Sequence, residues 1–116
     1  MNERIDLQTV LGVSGKLRAE HLALFALINL GIVESLTNGV VSAADALRIF
    51  YHADNCLFVR KELRAKAADE IMSRGVQLPD LFETLPTAQA QREFHRELAK
   101  LRTLCLRLLG SRRQVA

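Results

Sequence analysis

The chain has 116 residues, 49% hydrophobic and 25% charged, a composition that excludes a disordered segment and fits one globular domain. Two cysteines are too few for a disulfide framework, and acidic Glu3 and Asp6 stand where a secretory leader would be basic, so a cytoplasmic chain is expected. The net charge of +3 is unevenly spread: residues 1–58 carry four basic and six acidic side chains, and residues 59–116 carry twelve and seven.

Leucine occurs 20 times and alanine 14, against eight valines and five isoleucines. Unbranched side chains keep their rotamer freedom in helices, so the chain reads as all-α. The expected architecture is a compact bundle of four to five helices, with a long, largely buried first helix and an amphipathic C-terminal helix. Residues 1–13 form an N-terminal segment that is either a short amphipathic helix or frayed, 14–110 a single helical domain, and 111–116 a basic tail.

In chain order, Ile5, Leu7, Val10 and Leu11 supply the apolar side of the N-terminal segment. Ser14 is suited to cap a long helix reaching Thr37, and Asn38-Gly39 to stop it, since both residue types tolerate the left-handed conformation. Within this helix "LALFALINLGIV", residues 22–33, is shorter than the ~20 apolar residues that span a bilayer, so no membrane is expected. Apolar residues cover most of its circumference, which predicts a central position with neighbours on several sides.

Ser42 opens "SAAD", a capping-box variant with Asp45 at the third helical position, and Leu47, Ile49, Phe50 and Tyr51 follow in a short second helix. Asp54 or Asn55 then starts a third, in which Cys56, Val59, Leu63, Ala67 and Ile71 recur at helical steps, and Gly75 is its expected stop. Pro79 suits the first turn of a separate short helix carrying Leu78, Leu81, Phe82 and Leu85 on one side, a candidate partner-contact helix, before Pro86 ends it. Thr87 caps the last helix, from about Ala88 to Leu109, with Gly110 as its stop. There Phe94, Leu98, Leu101, Cys105 and Leu108 follow a 4-3-4-3 spacing. That seam either docks on the chain's own first helix or pairs two copies, and self-association as a homodimer is favoured.

Catalytic and metal chemistry find little support. His52 and Cys56 sit four apart, half of a zinc site whose other two ligands are missing, and His95 and Cys105 lie about 15 Å apart along a helix. A nucleophilic Cys56 with His52 as base would need an orienter, but Asp54 and Asn55 are also preferred helix caps, and that role accounts for them without chemistry. His21 beside Glu20 reads as a partly exposed structural histidine. "GVSGK" lacks the spacing of a phosphate-binding loop, and the carboxylate pairs Asp69/Glu70 and Glu93/Glu97 have basic residues at ion-pair spacing. No cofactor is expected.

Charge is the remaining lead. Arg92, Arg96, Lys100 and Arg107, extended by Arg112 and Arg113, form a basic strip suited to phosphates, an acidic partner, or the acidic half of another copy. One tyrosine, five phenylalanines and no tryptophan leave few platforms for stacking bases. The expectation is a small non-enzymatic helical protein acting through protein-protein interaction, as an adaptor, regulator or inhibitor-like partner. Nucleic-acid-associated regulation through the basic half is the alternative, and a cysteine-dependent enzyme is the third reading.

Overall fold

The structure, a computed structural model, describes residues 4–12 and 18–112, with side chains to residue 110. The Ser14 cap and Arg113 lie outside the described residues, as does the Arg112 side chain. Six α-helices and no strands are present among the described residues: α1 (Leu7–Leu11), α2 (Arg18–Thr37), α3 (Ala43–Ile49), α4 (Ala53–Phe58), α5 (Lys66–Thr84) and α6 (Thr87–Arg112). A wide π-helical turn, Val59–Leu63, prolongs α4. The all-α class expected from leucine, alanine and capped 3.6-residue periods is the fold observed.

α6 is the backbone of the packing, with α2 along one side and α5 along another; α3 packs on α5 and α1 on α4. The 4-3-4-3 residues explain this. Phe94, Leu98, Leu101 and Cys105 are buried in the chain's own core, and Leu108 is half-buried against it. The seam is therefore filled from within the chain.

α2 is less enclosed than its composition predicts. Phe25, Ala26, Asn29, Val33 and Leu36 are buried, but Leu27 is 54% exposed, and Gly31 is exposed beside it. By length and hydropathy α2 is the one described helix that could cross a membrane, with a third of its apolar window buried in the protein. It is an outer helix of the bundle, not its centre, because α6 holds that place.

Local chemistry ends and starts the helices. Gly39, at φ +73°, closes α2: its N–H donates to Leu36 O, and Val40 N–H reaches back to Ser35 O, a pairing that satisfies the last carbonyls. Ser42 and Asp45 form the reciprocal capping box of α3, Asp45 N–H donating to Ser42 Oγ at 3.0 Å and Ser42 N–H to Asp45 Oδ2 at 3.2 Å. The hydrogen bond from the Ser42 backbone, helped by the Ser42 hydroxyl and Arg48, holds the Asp45 carboxyl below its usual range. A depressed folded pKa means that this contribution is complete above the ordinary carboxylate range, about pH 4, and is lost as pH falls through the lower folded value. The stability gap between the wild type and Asp45→Asn should accordingly shrink between pH 6 and pH 3, as urea titrations at each pH would show. A constant gap would mean that the carboxylate charge contributes nothing to the cap.

The single third helix expected between residues 54 and 75 is two helices. Arg64 adopts φ 52°, ψ 43°, and turns the chain between the π-helical segment and α5. The break is paired from a distance: Arg18 donates from Nε to Leu63 O at 2.6 Å and from Nη2 to Arg64 O at 2.7 Å, taking carbonyls that a continuous helix would have used. Val59 and Leu63, on the wide turn, are both fully buried.

Gly75 does not stop α5, and Pro79 does not begin a new helix; both lie inside one helix. Ala68, Ile71, Met72, Gly75 and Leu78 make one buried stripe, and its continuity outweighs the hydrogen bond that the proline ring removes. Glycine at 75 serves close approach. A Cβ there would stand 2.5 Å from Cγ and Cε1 of the buried Tyr51 ring. At the other end, α6 runs through Gly110 to Arg112, past the expected stop.

Candidate functional site: an apolar groove at the end of the bundle

The stretch "YHADNCLFV" is a structural joint. His52 is the N-cap of α4: its Nδ1 accepts from Asn55 N–H at 3.4 Å, while Nε2 lies 3.0 Å from Ile5 O, consistent with a neutral ring protonated at Nε2. Asn55, fully buried, accepts from Leu7 N–H at 2.9 Å and donates from Nδ2 to Ile5 O and Phe50 O, each at 2.8 Å. Asp54 pairs with Arg4. The segment read as either amphipathic or frayed is thereby held in place, with Leu7 and Leu11 buried.

His52 is thus engaged by α4 and the N-terminal segment. Cys56 is half-buried, its thiol facing Tyr51 O at 3.8 Å, and burial raises its pKa above the usual thiol value against a smaller opposing effect of Arg60. Burial pushes the Cys105 thiol up to about 12. Both cysteines favour the neutral thiol, the opposite of an activated nucleophile. Tyr51 is raised too, chiefly by burial, and donates to Asn29 Oδ1 at 3.1 Å, while Asn29 Nδ2 donates to Phe25 O. Among the described residues no cluster of three His, Cys, Asp or Glu side chains could hold a metal.

An apolar groove lies elsewhere. The Gly39 turn and the first turn of α3 form one wall of a groove of about 610 Å³, the last turns of α5 form the opposite wall, and the first turns of α6 form its side. Leu36, Val41, Ala43, Pro79, Phe82 and Phe94 give it an apolar surface, with Thr37, Glu83, Gln91 and His95 supplying polar edges. Phe82 packs edge-on against Phe94, ring centroids 5.1 Å apart, yet remains 40% exposed. His95 flanks the other edge of Phe94 at 5.7 Å. The volume is that of sites for small apolar groups or an inserted side chain, and its lining is mostly apolar, as in such sites.

Of the four residues expected to contact a partner, Phe82 reaches the groove. Leu78 is buried in the core, and Leu81 and Leu85 are half-buried. The opposite wall, Leu36, Val41 and Ala43, was not legible as a site in the sequence; the Asn-Gly turn signalled a helix end, but not what would face it.

The basic strip does not stand as a bare row of cations. Arg96 pairs with Glu93 at 3.4 Å and Lys100 with Glu97 at 3.3 Å. Arg74 of α5, bridging Glu70 and Glu97 at 2.9 Å each, closes a network beside Arg96, Lys100 and Arg107. The hydrogen bonds that Arg74 donates to these glutamates, Glu70 first, raise its pKa. Arg92 is exposed at the start of α6. Comparison with protein-family models, curated proteins and solved structures finds no match for this chain.

Proposed function

We propose that this chain is a small non-enzymatic interaction protein, an adaptor, regulator or inhibitor-like partner, whose groove takes the apolar side chains of an amphipathic helix from another protein. The observation that carries this reading is Phe82, an aromatic anchor left 40% exposed against Phe94 in an otherwise apolar groove. Aromatic residues in partly enclosed apolar pockets dominate the energetics of such contacts, and apolar grooves between helices are a recurring seat for amphipathic peptides. The alternative, nucleic-acid-associated regulation, has weaker support: Arg96 and Lys100 would have to exchange their glutamates for phosphates.

The test is selection of displayed amphipathic helical peptides against the whole chain. Selected peptides should perturb the resonances of Leu36, Val41, Phe82 and Phe94. Phe82→Ala should weaken them about tenfold or more while leaving helicity unchanged. Peptides that bind equally well after that substitution, or that shift only Arg96, Lys100 and Arg107, would sink the groove reading. In the second case, salt-dependent binding to duplex DNA becomes the next measurement.

A further inference from the structure

Of the three asparagines among the described residues, two are locked into the core: Asn29 and Asn55 are fully buried, hydrogen-bonded, and followed by Leu30 and Cys56. Asn38 differs in every respect. It is exposed, it lies just past the end of α2, and it precedes Gly39, the one described glycine with a positive φ.

The carbonyl carbon of an asparagine side chain is an electrophile within reach of the backbone nitrogen of the following residue, and a side chain on that residue obstructs the approach. Glycine offers no obstruction. At Gly39 even an added Cβ would meet nothing within 4 Å, so the ring that must close has open space around it.

We propose that Asn38 is a site of spontaneous deamidation, whose aspartyl and isoaspartyl products reshape the turn that walls the groove. The only co-reactant is water. Gly39 N gives its proton to a solvent base and bonds to Asn38 Cγ, the Cγ–Nδ2 bond breaks, and the nitrogen takes protons from water and leaves as ammonia. A five-membered succinimide remains. Water then adds to one of its two carbonyls: opening at Cγ gives aspartate with the original backbone, and opening at the main-chain carbonyl gives isoaspartate, whose backbone runs through Cγ and is one carbon longer. Nothing is oxidised or reduced.

The bonds that must open first are few and terminal. Asn38 Nδ2 donates to Glu34 O at 2.9 Å and to Glu34 Oε2 at 2.8 Å, and Gly39 N–H donates to Leu36 O at 3.3 Å, long for such a bond. They belong to the last turn of a helix, where local opening costs least. The product conflicts with what it replaces: a carboxylate at residue 38 loses the Nδ2 donor, stands beside the Glu34 carboxylate, and adds negative charge at the C-terminal end of α2, where the helix dipole disfavours it. Leu36, Thr37, Gly39 and Val41 of this region line the groove, so a displaced or lengthened turn moves one wall. That consequence rests on the groove as a peptide site; the deamidation does not.

Tandem mass spectrometry of the full chain, aged at mildly alkaline pH and body temperature, tests the site. Folded protein should gain one mass unit at residue 38, with isoaspartate detected by an isoaspartyl methyltransferase, while Asn29 and Asn55 stay intact. Asn38→Gln should abolish the signal. A sample unfolded in guanidinium chloride supplies the rate of the unrestrained chain. Folded protein that keeps Asn38 intact while the unfolded sample is converted overturns the proposal, because the turn then protects the residue. Groove peptides selected on fresh protein should bind aged protein severalfold more weakly, and equal binding would overturn the link to the groove. Fresh protein that binds no peptide would end the groove reading, while the mass map still decides the deamidation.

Discussion

Gly75→Ala is expected to destabilise the protein, although the same exchange in an ordinary helix interior stabilises by about 1 kcal/mol. The added Cβ would meet the Tyr51 ring at 2.5 Å, well inside contact distance. Tyr51 has no room to retreat. Its ring is 1% exposed and stacked edge-on against Phe50 at 5.1 Å, and its hydroxyl is tied to the buried Asn29. Moving the ring strains the core and breaks a buried hydrogen bond, together costing roughly 2–6 kcal/mol, so a net loss of about 3 kcal/mol remains after the helix gain. That corresponds to a fall in Tm on the order of 10 °C or more. Thermal unfolding of Gly75→Ala, Tyr51→Leu and the double variant checks it: the glycine substitution should cost much less once the ring is gone. A neutral or stabilising Gly75→Ala would show that Tyr51 does not need the close approach.

Asn55→Ala should be comparably damaging for a different reason. One side chain serves three backbone groups, the Leu7 N–H and the carbonyls of Ile5 and Phe50, and tethers the N-terminal segment to the corner between α3 and α4. Truncation strips a buried donor and acceptors of their partners, at ~1–3 kcal/mol per group left unsatisfied, so a loss of about 3 kcal/mol is expected. Release of α1 would also expose Leu7 and Leu11, now fully buried. Asn55→Asp keeps the acceptor for Leu7 but sets a carboxylate against two carbonyls, and at neutral pH it should do no better than alanine. Amide exchange separates the local from the global effect: Leu7 and neighbouring amides should lose protection first. Unchanged exchange at Leu7 in Asn55→Ala would mean that α1 is held by its leucines alone.

The sequence by itself determined the helical class, the turn at Asn38-Gly39 and the capping box at Ser42, because each depends on residues within a few positions of one another. Residues 51–59 also read as a joint, but with Asp54 or Asn55 as its cap; His52 takes that place, and the bonds from His52 and Asn55 to Ile5 and Leu7, 47 to 50 residues away, belong to the tertiary structure. Tertiary structure alone decided matters that turn on distant partners. The apolar period through residues 56–71 is unbroken in the sequence, yet the helix breaks at Arg64, where Arg18, forty-five residues from Leu63, takes the freed carbonyls. Gly75 and Pro79 look like punctuation, but a continuous buried stripe carries α5 through both, and the glycine answers to a tyrosine twenty-four positions earlier. The heptad seam of α6 and the apolar girth of α2 are two surfaces that local periodicity cannot assign to partners. Packing gave the seam to the chain's own core and left one side of α2 to solvent, because α6, longer and in contact with both α2 and α5, fills the centre where only one helix fits.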